Sequence, residues 1–415
     1  MDIIRRNKNF LAIILTSAVQ IFGALFSLSI ISMLDIKFFA IYALILTILD
    51  ISNSTILFGN EKYFQKNLLK KDKINKYFIN TSFSLNIVLS LGLFFIISFF
   101  YSRVGNNQSI LYIILLSPML LNFRNFIVLI YRFTRNNIFL LKVKSLIVSL
   151  GLILKYIIYI QNFDLIYLVI IIISEQLLEV FFLIILANNE KKYFPDSFIF
   201  SFNELKKLFK RLIPIGFSIL LFTILIRIEI LYINYFLSSL NVAAFFLCVK
   251  LFNAMLIFTR SVTQLKFPLL IQAKKDKIMS EFNSFYLLLI ASGVFSSIFL
   301  YIFGFFYITY FINSDLAFTT DYLPFFSIAI FFHSLSSIRN SYLISIRKEK
   351  DIFLPQLISF LSKLIVSYYA ILNFGLIGAC LSFVVIELMN FSIFNLFLKS
   401  TRKLLMFQLF INKNL

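Results

Sequence analysis

IFLLKVKSLIVSLGLILKYIIYIQNFDLIYLVIIIISEQLLEVFFLIILA, residues 138–187, decides how this chain is read. It holds two apolar runs, 138–160 and 163–187, parted by a short polar turn at Gln161 and Asn162. Each run is long enough to cross a bilayer as a helix, which takes about 20 residues. Residues 352–398 repeat the pattern. Ile352-Phe353-Leu354 answers Ile138-Phe139-Leu140 at the head of the first run, and Asn373-Phe374-Gly375-Leu376-Ile377 answers Asn162-Phe163-Asp164-Leu165-Ile166 at the head of the second. The chain therefore reads as two similar halves, each ending in a pair of spans.

Working outward, further apolar runs occupy 10–34, 37–58, 78–101 and 109–131 in the first half, and 212–236, 241–265, 283–311 and 319–342 in the second. The expected fold is an all-α integral membrane protein of about twelve transmembrane helices in two six-helix lobes, residues 1–200 and 201–415. Lobes with an even number of spans would be parallel repeats about an axis along the membrane normal, an arrangement used by transporters. Composition agrees: a mean hydropathy of +0.92, with 60% hydrophobic and 14% charged residues, would leave a water-soluble globule far too much apolar surface in water. The run from Phe10 reads as an uncleaved first span. Pro118 and Pro324 are candidate kinks, Pro214 and Pro355 stand near span starts, and Pro195 and Pro268 are expected in loops.

The net charge of +20 would suggest nucleic acid in a soluble protein, but its placement excludes that reading. Basic residues crowd Arg5–Lys8, Lys62–Lys76, Arg132–Lys144, Lys191–Arg211, Lys266–Lys277, Arg347–Lys350 and Lys399–Lys413, while the alternate connections hold Lys37 and Arg103. That is the positive-inside pattern, with both termini cytoplasmic. Ahead of the seventh span, Phe202, Leu205, Leu208, Phe209 and Leu212 recur at helical spacing among lysines, predicting an amphipathic helix on the cytoplasmic surface.

An ionised group at mid-bilayer costs roughly 2.5–3.5 kcal/mol on insertion scales, so each one needs a partner, a wet cavity or a function. Arg124, Lys155, Arg227, Lys250 and Lys363 lie deep in spans; Arg260 and Arg339 lie near cytoplasmic ends and are expected to snorkel. The acids in spans are Asp50, Glu175, Glu179, Glu229 and Glu387, candidates for ion coupling or structural pairing together with Lys363. Lys363 and Glu387 reach depths that agree within about 5 Å at 1.5 Å per residue, which predicts an ion pair. Arg227 and Glu229, two apart on one helix, point to different sides. His333 is expected to be a hydrogen-bonded interior residue, and Cys248 and Cys380 to behave as small apolar side chains. One histidine, two distant cysteines and no phosphate-binding glycine loop give no reason to expect a metal, a nucleotide or any other cofactor. Energy for transport would come from an ion gradient, a partner, or consumption of the product on the far side.

The turn Leu34-Asp35-Ile36-Lys37-Phe38-Phe39-Ala40-Ile41-Tyr42 resembles that of the polysaccharide and O-antigen flippases, with Asp35 and Ala40 where that family usually has glycine. Asn241-Val242-Ala243-Ala244-Phe245 through Cys248, Lys250 and Leu251 looks like the second copy, and Glu229 stands where an aspartate is common. Span number and the long basic loops after spans two, six and eight extend the resemblance over nearly the whole chain. The family belongs to the multidrug/oligosaccharidyl-lipid/polysaccharide exporter (MOP) superfamily. The resemblance implies a multi-pass flippase of the bacterial inner membrane. Its cargo would be a polyprenyl-pyrophosphate-linked oligosaccharide, an O-antigen or capsule repeat unit of lipopolysaccharide or polysaccharide biosynthesis, and its partners membrane lipid and other polysaccharide-assembly proteins. On that reading Arg124, Lys155, Arg227 and Lys250 would line a cationic central cavity suited to a pyrophosphate group. The transport alternative is an ion-coupled exporter of small amphipathic or cationic compounds, which would favour carboxylates in the cavity. An outer-face glycosyltransferase or polymerase would need a substantial external loop, and every predicted one is short.

Overall fold

The computed structural model describes residues 19, 22–33, 35–57, 76–102, 108–133, 137–161, 165–189, 202–272, 278–345, 348–397, 401–402 and 405–406. The helices are α1 (Phe22–Met33), α2 (Ile36–Leu57), α3 (Lys76–Ser102), α4 (Gln108–Leu116), α5 (Arg124–Phe133), α6 (Asn137–Ile160), α7 (Leu165–Asn189), α8 (Phe202–Phe236), α9 (Ser239–Gln272), α10 (Ile278–Phe311), α11 (Leu323–Ser336) and α12 (Ile338–Ser345). The last helical segment, Phe353–Phe391, is broken at Gly375, whose φ of 58° and ψ of −134° lie in a region that L side chains avoid. Its two parts, 353–374 and 376–391, are α13 and α14. They fold back on each other: the Ser367 and Ser382 hydroxyls are 3.2 Å apart, where a continuous helix would separate them by about 22 Å.

Among the described residues, nine helical segments are long and apolar enough to cross a membrane, and Phe353–Asn395, which holds the Gly375 turn, is one of them. Phe22–Met33 and Tyr112–Val128 are shorter apolar helices. Side chains that a soluble protein would hide face outward, among them Phe95 and Phe100 on α3 and Phe306 and Tyr310 on α10. Phe295, Phe299, Phe303, Tyr307 and Phe311 stack ring on ring along α10 at one-turn intervals.

Local chemistry accounts for the breaks. Pro118 opens a 3-10 turn, Ser117–Leu121, that divides α4 from α5, as its ring lacks the amide hydrogen a helix needs. Pro324 starts α11 after the 3-10 turn Ser314–Tyr322 and does not kink it. Pro268, expected in a loop, lies within α9, which continues to Gln272. The Asp35 carboxylate accepts from the Lys37 amide and so caps α2, which is what an aspartate offers where a glycine would supply only flexibility. The amphipathic segment at 202–212 is continuous with the seventh span as α8; Lys206 is exposed and Leu212 buried on it. The first span before residue 19, the basic loop at 58–75 and residues 190–201, Pro195 among them, lie outside the described residues.

The chain divides into two compact units: Met1–Leu34 with Ile45–Leu220, and Asp35–Leu44 with Leu221–Leu415. In unit 1 a core of Ile127, Val128 and Leu183 is flanked by Phe83 and Phe123. In unit 2, α9 is the central helix, with 78% of its apolar window buried. Ala40, Ala43, Val242, Ala243 and Ala244 are buried there, small side chains at close helix contacts. Phe245, Phe252, Phe326 and Phe383 form a cluster with centroids 5.1–6.4 Å apart, edge-to-face except for the tilted pair Phe326 and Phe383.

Candidate functional site

In unit 1 the charged site is built on α7. Glu175 and Glu179 are one turn apart and so share a face. Lys155 of α6 places its Nζ 2.7 Å from Glu175 Oε1 and 3.0 Å from Oε2, and also 3.2 Å from the Ser27 hydroxyl. Gly151, one turn before Lys155, makes the approach possible: a Cβ there would collide with the Glu175 carboxylate. Glu179 pairs with Arg124 of α5 at 3.2 Å and with Lys144 of α6 at 2.6 Å. Both carboxylates keep some exposure, 23% and 14%. Asp50 is half-buried on α2, and Asn53 next on that helix accepts a hydrogen bond from Asn125 at 3.1 Å.

Unit 2 has three buried clusters. Lys363 Nζ lies 2.6 Å from Glu229 Oε1, with both side chains at most 1% exposed, and its ammonium sits 4.5 Å above the Phe383 ring. The Ser367 hydroxyl donates to Glu229 at 3.4 Å. Second, His333 Nδ1 is 3.1 Å from Glu387 Oε2, and the imidazole meets the edge of Phe252. Third, Arg339 reaches the Asn390 carbonyl, Asn395 Oδ1 and Gln356 Oε1 at 3.2–3.3 Å. Arg227 is buried on α8, and Lys250 lies 5.0 Å from the Phe246 ring centre.

The predicted site residues thus meet partners that only some of the sequence arguments named. The expected pair of Lys363 with Glu387 does not form; Lys363 goes to Glu229 and Glu387 to His333. Depth along a helix leaves azimuth open: α13 turns Lys363 toward α8 while α14 turns Glu387 toward α11. His333 is the hydrogen-bonded interior residue expected. Arg339 does not snorkel: it is 4% exposed and bound by three oxygens of the α13–α14 region. Arg260 is exposed. Arg124 and Lys155 belong to unit 1 and Arg227 and Lys250 to unit 2. Lys144, read from the sequence as part of a basic loop, is the residue missed; its signal is that it and Lys155 lie three helical turns apart, as two cations on one face would. No group of three metal-ligating side chains occurs among the described residues.

No known family profile matches the chain, and no curated protein matches it by sequence. Solved structures do match. The lipid II flippase MurJ in an inward closed conformation superposes with a TM-score of 0.69 at 14% identity, over 95% of this chain and 91% of that one. A eukaryotic MATE transporter superposes at 0.67 and 12% identity, over 98% and 99%. A MOP superfamily transporter from Pyrococcus furiosus gives 0.62 and 14%, over 96% and 95%. All three are transporters, and the fold of this chain is that of the MOP superfamily transporters.

Proposed function

We propose that the chain is a twelve-span flippase, with both termini in the cytoplasm of a bacterium, that moves a polyprenyl-pyrophosphate-linked oligosaccharide across the inner membrane by alternating access. The observation that carries this reading is the sign of the charge inside unit 2. Arg227, Arg339 and Lys363 are buried and Lys250 half-buried, whereas the buried carboxylates among the described residues of that unit are Glu229 and Glu387. Buried cations in excess favour an anionic cargo, and guanidinium and ammonium groups are good partners for pyrophosphate. The similarity in fold to a lipid II flippase supports the same cargo class. O-antigen or capsule repeat units, and assembly proteins that consume them, complete the proposal.

The test is flipping of a fluorescent polyprenyl-pyrophosphate oligosaccharide in proteoliposomes. Arg227→Glu is expected to reduce the rate at least tenfold at unchanged protein level; full activity would refute the cationic route. A second reading, export of small cationic compounds, draws support from the partly exposed Glu175 and Glu179 carboxylates. A deletion strain that becomes dye-sensitive without accumulating cytoplasmic-leaflet oligosaccharide would favour it.

A further inference from the structure

Four carboxylates inside the spans have ion-pair partners of two kinds. Glu175, Glu179 and Glu229 each lie within 3.2 Å of a lysine or arginine. Glu387 is different: its partner is His333, whose charge changes near neutrality. Glu387 is 1% exposed, and its second oxygen, Oε1, has no hydrogen-bond partner among the described residues. The imidazole retains 12% exposure, so the histidine is the more accessible end of the pair.

We propose that His333 and Glu387 form a proton-binding site within unit 2, and that the proton taken up there is exchanged during the transport cycle. The second clause rests on the transport reading above; the first does not. One proton arrives from water and converts neutral imidazole facing carboxylate into imidazolium facing carboxylate, taking the pair from one negative charge to none. The same proton returns to water on release.

The surroundings fit a single titrating site. On α9, Phe252 presents its ring edge to His333; the charged residues of that helix are Lys250, over Phe246, Lys266, beside Glu281, and exposed Arg260. Facing α11 from α10 are Gly293 and the Ser297 hydroxyl, both uncharged, while Glu281 lies in the first turn of α10. On α12, Arg339 interacts electrostatically with Glu387 while its hydrogen bonds go to Gln356, Asn390 and Asn395. On α13, Lys363 is committed to Glu229, and on α14 the neighbouring thiol is Cys380.

The chain has one histidine, so histidine-labelled protein in nanodiscs gives one imidazole NMR signal. That signal is expected to change with pH, and its midpoint to move in Glu387→Gln. A flat wild-type signal, which needs no variant, or a midpoint unmoved in Glu387→Gln, overturns the site. In proteoliposomes, His333→Gln is expected to keep downhill cargo movement but lose stimulation by a pH gradient; retained stimulation overturns the exchange. If the wild type moves no oligosaccharide, the proposed cargo fails, and the NMR titration still decides the proton site.

Discussion

The two units each close with a helical pair bearing a lysine on the first helix and a glutamate on the second, at similar depths, yet they use these charges differently. In unit 1, Lys155 and Glu175 pair with each other inside the hairpin, and the glutamate keeps 23% exposure. In unit 2, Lys363 leaves the hairpin for Glu229 on α8, in a pair that is essentially dry, and Glu387 turns to His333 on α11. The difference lies in the neighbours. Gly151 clears space for Glu175 against α6, whereas Lys363 meets the Phe383 ring on α14 and is directed past it. A hairpin that satisfies its own charges is electrostatically self-contained. One that exports them to two other helices ties those helices to the hairpin and frees its glutamate for a titratable partner.

The largest effect is expected at the dry pair. Lys363→Met leaves Glu229 buried without its cation, so a loss of about 3–5 kcal/mol is expected, read as a large fall in thermal midpoint in detergent. Adding Glu229→Leu should recover most of it, because two apolar groups of similar volume replace a costly pair. Glu175→Gln in unit 1 should cost about 1 kcal/mol or less, since its partner keeps Ser27 and the site is partly wet. If the two single variants lose equal stability, the contrast between units is wrong. The smallest effect is expected for Gly151→Ala. Its methyl group displaces the Glu175 side chain from Cγ outward, so the midpoint should fall slightly, and the fall should vanish in a Glu175→Ala background, where nothing is left to meet it.

Much of this was legible in the chain. Runs ending near Leu57, Ser102, Ile160 and Phe236 are where helices end, and the Asn373-Phe374-Gly375 turn is where α13 folds into α14. The need for partners was legible too. The identity of the partners was not. Lys144 looked like a loop cation and binds Glu179; Arg339 looked able to snorkel and is enclosed by Gln356, Asn390 and Asn395.

Local chemistry along the chain is enough to set the helices, because in lipid every backbone polar group must be satisfied within its own segment, and an apolar run of sufficient length has no alternative. It also determined the turn at Gly375, since a positive φ is open to glycine at little cost. Which acid meets which base depends instead on how the helices pack in three dimensions. Residue spacing fixes a side chain's depth along its helix, but the helix's rotation about its own axis is set by packing against its neighbours, here chiefly the phenylalanines around α9.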